Sequence, residues 1–80
     1  MNLTLKYFGL LVDITQKKEE VLHLDHHKVA LSDVKSAIES LYGELKNANY
    51  TIAVNQLMCN SDSVINDRDV IALLPPFAGG

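Results

Sequence analysis

The chain has 80 residues, 48% of them apolar, and a net charge of −3 from seven basic and ten acidic side chains. That length makes one domain burying about 60–65% of its unfolded surface, and the apolar content without any biased tract excludes a disordered tail. The lysines are scattered and Arg68 is the only arginine, so no basic face for nucleic acid exists; no apolar run approaches the roughly 18–20 residues that cross a bilayer, so no membrane is expected.

Cys59 is the only cysteine, which excludes an internal disulfide and points to a reducing compartment. The first residues alternate in hydropathy and lack the basic and apolar blocks of a signal peptide, so a cytoplasmic location is expected.

Leu3, Leu5 and Tyr7 alternate with Thr4 and Lys6, the pattern of a half-buried strand that Gly9 ends. Residues 10–18 predict a loop with one helical turn. Residues 20–25 predict a second strand, returning antiparallel to the first. Ser32 is the expected N-cap of a helix, with Asp33 placed well against the helix dipole. Leu31, Val34, Ile38, Leu41 and Leu45 then recur at three- and four-residue steps and give that helix one apolar face. Gly43 is the expected terminator, with Leu45 and Lys46 able to carry another turn.

Thr51–Val54 predicts a short strand, Asn55-Gln56 a turn, and residues 57–59 a second short strand. Residues 60–69 form a polar connection around Val64 and Ile65. Val70–Leu74 is aliphatic on both faces, as in the middle of a sheet, and Pro75 stops it. The expectation is an α+β roll, a mixed four- to five-stranded sheet on one main helix, with a body of residues 1–74 and an extended tail of residues 75–80.

The tail carries the functional expectation. Pro75-Pro76-Phe77-Ala78-Gly79-Gly80 places two residues without Cβ atoms after a stiff proline pair. Six extended residues reach roughly 20 Å, thin enough at the tip to enter another protein's narrow active site. The reactive group would be the carboxylate of Gly80, not a side chain.

The length, the order of elements and the terminal Gly79-Gly80 resemble the ubiquitin-like β-grasp proteins, and within them the MoaD family, the small subunits of molybdopterin synthase. Ala53-Val54-Asn55-Gln56 looks like that family's strand-turn segment, and Lys6-Tyr7-Phe8-Gly9 like its first strand and following small residue. The stretch from Asn66 through Asp67, Arg68, Asp69 and the apolar strand to Pro75, Pro76, Gly79 and Gly80 resembles its ending. Two departures stand out. Arg68 occupies the usual turn glycine, which costs little if the backbone there avoids positive φ. Val12, ahead of Asp13, stands where many members carry arginine.

The resemblance implies a sulfur carrier. An E1-like enzyme would use ATP to adenylate Gly80, and a persulfide-type sulfur donor protein would convert it to a thiocarboxylate. The large subunit, in a heterotetramer of two small and two large subunits, would take up Gly79, Ala78, Phe77, Pro76 and Pro75 and pass the sulfur to a cyclic pyranopterin. No cofactor would be bound permanently, and the acids and bases for transfer would belong to the partner, so the chain is not itself an enzyme. Alternation turns Phe8 to the side of Thr4 and Lys6, away from the helix. By comparison with the family, Met58 and Leu74 join it in a partner-binding patch.

Two related readings share the activated glycine: a carrier for thiamin synthesis, and a ubiquitin-like modifier joined to lysines through Gly80. The double proline and the match over residues 67–74 favour the first reading. His23, His26 and His27 beside Asp25 are expected to be a solvated strand end, not a metal site; Cys59 is expected to be a small packing residue. Glu19, Glu20 and the acids of residues 62–69 are expected to be solvated surface. No phosphate-binding glycine loop or catalytic triad spacing occurs.

Overall fold

The alternating apolar residues at the start form β1 (Asn2–Tyr7), whose Leu3, Leu5 and Tyr7 are buried while the residues between them are not. The computed structural model describes residues 1–26 and 28–76; the expectations for His27, Phe77, Ala78, Gly79 and Gly80 lie outside the described residues. After β1 come a short helix α1 (Leu10–Thr15) and β2 (Glu19–His23), which pairs antiparallel with β1. β3 (Val29–Ala30) leads directly into the main helix α2 (Leu31–Leu41) and a 3-10 helix (Gly43–Asn47). The remaining strands are β4 (Thr51–Val54), β5 (Leu57–Met58), β6 (Val64–Ile65) and β7 (Val70–Leu74).

The main sheet is mixed and five-stranded, in the order β2-β1-β7-β4-β5. β7 lies in its middle, parallel to β1 and antiparallel to β4, as its two-sided aliphatic sequence requires. Its inner face sets Leu3, Leu5, Ile52, Val54, Ile71 and Leu73 against Leu31, Val34 and Ile38 of α2 in one core cluster. This is the expected α+β β-grasp roll.

Several local expectations are corrected. Ser32 is not the N-cap: Ala30 is, and the Asp33 carboxylate accepts its N–H at 3.0 Å. The next two N–H groups, of Leu31 and Ser32, donate to the carbonyls of Ser63 and Ser61, so a distant loop caps this helix. The helix stops at Leu41, and Tyr42 rather than Gly43 leaves helical geometry. Leu41 is 57% exposed, since it lies at the edge of the apolar stripe in the last helical position; Leu45 reaches the core from the 3-10 helix instead. The polar connection contains β6, which pairs with β3 in a second small sheet. Within residues 10–18 the helical part is six residues, Leu10–Thr15, somewhat more than the single turn expected, with Leu11 and Thr15 buried. Cys59 follows β5 and is partly buried against the core.

Candidate functional site

Register builds the sheet's outer face, the one turned away from α2. One row runs Glu19, Lys6, Ala72, Ala53, Met58 across all five strands. The next row, toward the end of β7, pairs Leu74 with Thr51. The parallel register of β1 and β7 brings Phe8 alongside Leu74, and the Phe8 N–H donates to the Leu73 carbonyl at 3.2 Å. Two alanines therefore make a low floor between taller side chains. Met58 is 63% exposed, Phe8 45%, and Leu74 half-buried. The three residues expected to share a patch lie on one face of one sheet, and α2 packs on the other.

The exit of the tail is set by β7 and by Gly9. β7 ends at Leu74, and Pro75 follows on the face-end shared with β1. Gly9 has φ 58° and ψ −133°, a conformation open to glycine and strained for any L side chain. A methyl group on Gly9 would stand 2.9 Å from Cγ of Pro75. Gly9 thus lets the chain turn back into α1 while the proline at the base of the tail closes over it. Beside this contact Lys6, Tyr7, Phe8, Gly9, Val12, Lys18 and Glu19 line an open cleft of about 360 Å³. Val12 packs at the edge of the core and Asp13 is exposed.

The other end of β7 is fixed by a polar clamp. Asn55 and Gln56 both have positive φ, as a two-residue hairpin turn between β4 and β5 requires. The Asn55 side chain donates to Asp69 at 3.0 Å and accepts the Val70 N–H at 2.9 Å, while its own N–H donates to the Val70 carbonyl at 2.8 Å. Asp69 also accepts the Asn66 N–H at 2.8 Å, and the Asp69 N–H closes the turn on the Asn66 carbonyl. In this turn Arg68 has φ 71°. Arg68 therefore sits in a left-handed conformation, so the condition under which the replaced glycine would cost little is not met. The third position of a type II turn demands that geometry whatever residue fills it. The Asp67 carboxylate accepts the Asn2 N–H at 2.6 Å, which holds it below the ordinary carboxylate range.

Glu20, expected as solvated surface, is instead the hub of a partly buried network. Its carboxylate accepts the hydroxyls of Tyr7 at 2.6 Å and Tyr42 at 2.5 Å and the Lys17 ammonium at 3.2 Å. The two phenol rings meet edge to face, 6.1 Å apart. Burial alone would raise the Glu20 carboxyl, but the donors from Tyr42, Tyr7 and Lys17 outweigh it and hold the group below its ordinary value. Burial, followed by the bond to Glu20, pushes the Tyr7 phenol far above its usual range and raises Tyr42 as well. The network ties β1, β2 and the end of α2 together beneath the cleft. His23 meets Asn2 at 2.7 Å and Asp25 at 2.9 Å; among the described residues no group of three potential metal ligands comes together there.

A floor of small residues rimmed by Phe8, Leu74 and Met58, beside the strand that leads into Pro75, is an open surface of the kind that docks another protein. The ThiS family model matches residues 5–80 of this chain. The chain belongs to the ThiS family. Solved structures share its fold. A protein described as molybdopterin converting factor subunit 1 from Pyrococcus furiosus is 23% identical, with TM-score 0.86 over 95% of this chain and 98% of that one. SAMP1 from Haloferax volcanii is 17% identical, with TM-score 0.84 over 100% of both chains. In a complex of subunits 1 and 2 of molybdopterin-converting factor from Helicobacter pylori, the matching chain is 24% identical with TM-score 0.69, again over 100% of both. This ThiS-family chain is a small ubiquitin-like carrier by family, and its fold is that of carriers and modifiers alike. Gly9 as the seat of Pro75, Asn55 as a clamp and Glu20 as a hub were missed from the sequence; a glycine directly after a strand and an asparagine in a hairpin turn were the available signals.

Proposed function

We propose that the chain is the sulfur-carrying small subunit of molybdopterin synthase, acting through the carboxylate of Gly80. The observation that carries this reading is the ThiS-family match, which continues through residue 80 and so includes Gly79 and Gly80. The Helicobacter pylori neighbour, described as a complex of subunits 1 and 2, supports a large-subunit partner for this one. In the proposed cycle the Gly80 carboxylate attacks the α-phosphate of ATP on an E1-like enzyme, releasing pyrophosphate and making the carboxyl carbon electrophilic. A persulfide sulfur displaces AMP, and a thiol cleaves the sulfur–sulfur bond to leave the thiocarboxylate and a disulfide. The large subunit then binds the outer sheet face through Phe8, Met58 and Leu74 and takes in Pro75, Pro76, Phe77, Ala78 and Gly79. Held there, the sulfur acts on a pyranopterin at high effective concentration. The chain contributes position; its partners contribute acids, bases and ATP, in the cytoplasm.

The test is intact mass measurement after incubation with the activating enzyme, ATP and a sulfur donor, followed by addition of the large subunit and pyranopterin. Oxygen-to-sulfur exchange confined to Gly80, and its loss on addition of the pterin, is the expected result. One residue added after Gly80 abolishes the exchange while leaving the circular dichroism unchanged; normal exchange on that variant overturns the reading. Isopeptide-linked adducts in place of pterin-dependent sulfur loss would establish a modifier. Phe8→Glu lowers affinity for the large subunit by roughly 10- to 100-fold, the effect of losing one buried aromatic side chain.

A further inference from the structure

The outermost strand on the β1 side of the sheet is β2, and its free edge has a self-complementary pattern. Its bonds to β1 come from even-numbered residues: Glu20 and Leu22 pair with Leu5 and Leu3, the Lys18 carbonyl accepts the Tyr7 N–H at 2.8 Å, and the Leu24 N–H donates to the Met1 carbonyl at 2.9 Å. In an antiparallel ladder the intervening residues point the other way. Glu19, Val21 and His23 therefore direct their N–H and C=O groups outward, where no strand covers them among the described residues. Unlike many edges, this strand contains no proline and no lysine to discourage pairing.

We infer that β2 pairs antiparallel with β2 of a second copy about a two-fold axis through Val21. That register is the one in which every outward group finds a partner, because Val21 faces Val21 and Glu19 faces His23 in both directions. It brings the 66% exposed Val21 side chains into contact and sets the Glu19 carboxylate beside the His23 ring of the other copy. Just outside the strand, Lys17 and Asp25 fall opposite one another by the same count. Neighbours on the same face are Lys6, beside Glu19 in its own chain, and Asp25 and Asn2, which hold the two nitrogens of His23. The contact extends the sheet sideways and leaves Phe8, Met58 and Leu74 uncovered, so it is separate from the docking surface proposed above. A contact of one strand is small, and its dissociation constant falls in the range of about 0.1–1 mM.

Sedimentation across that concentration range, with amide hydrogen exchange, tests the inference on the full chain. The expected result is a reversible dimer in which the amides of Glu19, Val21 and His23 exchange more slowly as concentration rises. Val21→Pro removes an outward donor while sparing the bonds to β1, and abolishes the dimer. His23→Glu sets two carboxylates face to face, Glu19→Lys removes the carboxylate that faces His23, and each weakens the dimer, the first by about tenfold. The double variant, carrying both changes, restores it. Unchanged circular dichroism in each variant separates lost pairing from lost folding. A chain monomeric throughout the range, a dimer that survives Val21→Pro, or a double variant no better than the singles overturns the inference.

Discussion

Replacing Gly9 with alanine should destabilise the domain and disturb the base of the tail together. The backbone at Gly9, with φ 58° and ψ −133°, costs an L residue about 1–3 kcal/mol. The added methyl stands 2.9 Å from Cγ of Pro75, and overpacking of that kind costs about 1–3 kcal/mol. Alanine's smaller entropy in the unfolded chain returns about 0.4–1 kcal/mol. The sum is a loss of about 3 kcal/mol, from a domain whose whole stability is about 4–12 kcal/mol. Urea unfolding followed by circular dichroism measures it, and with a slope of about 1 kcal/mol/M the midpoint drops by about 3 M. A cycle with Pro75→Ala, which removes the obstructing ring atoms, should return about 1 kcal/mol of coupling. D-Alanine at position 9, introduced by chemical ligation, accepts the positive φ and should recover most of the loss. A Gly9→Ala protein within about 0.5 kcal/mol of the parent, or a coupling near zero, would refute both the strain and the contact.

Two further outcomes follow from the turn at Arg68 and from the tyrosines. Arg68→Gly relieves about 1–2 kcal/mol of left-handed strain against about 0.5–1 kcal/mol of added freedom in the unfolded chain. The melting midpoint should rise by about 2–6 °C, and a fall in calorimetry would show that the turn is unstrained. Tyr7, Tyr42 and Tyr50 are all raised above their ordinary value of 10.0, first by burial and then by bonds to Glu20 or Glu39. The folded chain therefore keeps phenolic protons that the unfolded chain has released, so this stabilisation is complete below about pH 10 and is lost as pH rises above it. Tyrosinate absorbance should appear together with unfolding, and Tyr7→Phe should flatten the alkaline decline; gradual ionisation with the fold intact would contradict the network. Glu20 has the opposite sense: its contribution is present above its ordinary value of 4.5 and fades as pH falls below it.

The parts of the fold visible in the sequence are those whose cause is local. Alternation at Leu3, Leu5 and Tyr7 and the aliphatic run of β7 announce a half-buried and a central strand because side-chain period and burial suffice to define them. The start of α2 was misread at Ser32 because its first N–H groups are satisfied by carbonyls of Ser61 and Ser63, some thirty residues away in the chain. β3 and β6 are two residues each, too short for any period to register, and exist only through their mutual pairing. Glu20 looked solvated because its neighbours are charged, whereas its partners Tyr7 and Tyr42 come from a strand and a helix end that only the fold brings together. Of the candidate site, the outward placement of Phe8 follows from period two alone. That Met58 and Leu74 share its face depends on register across β4, β5 and β7, which no single segment contains.

Because the segment ahead of Pro75 is hydrogen-bonded along both of its sides, any pull on the chain beyond Pro76 is delivered lengthwise into the middle of the sheet. Its bonds to β1 and β4 would then be loaded together, in shear, instead of being peeled apart one at a time. Force entering at Pro76 is thereby shared between two ladders, a geometry that resists unravelling better than a strand at the rim would.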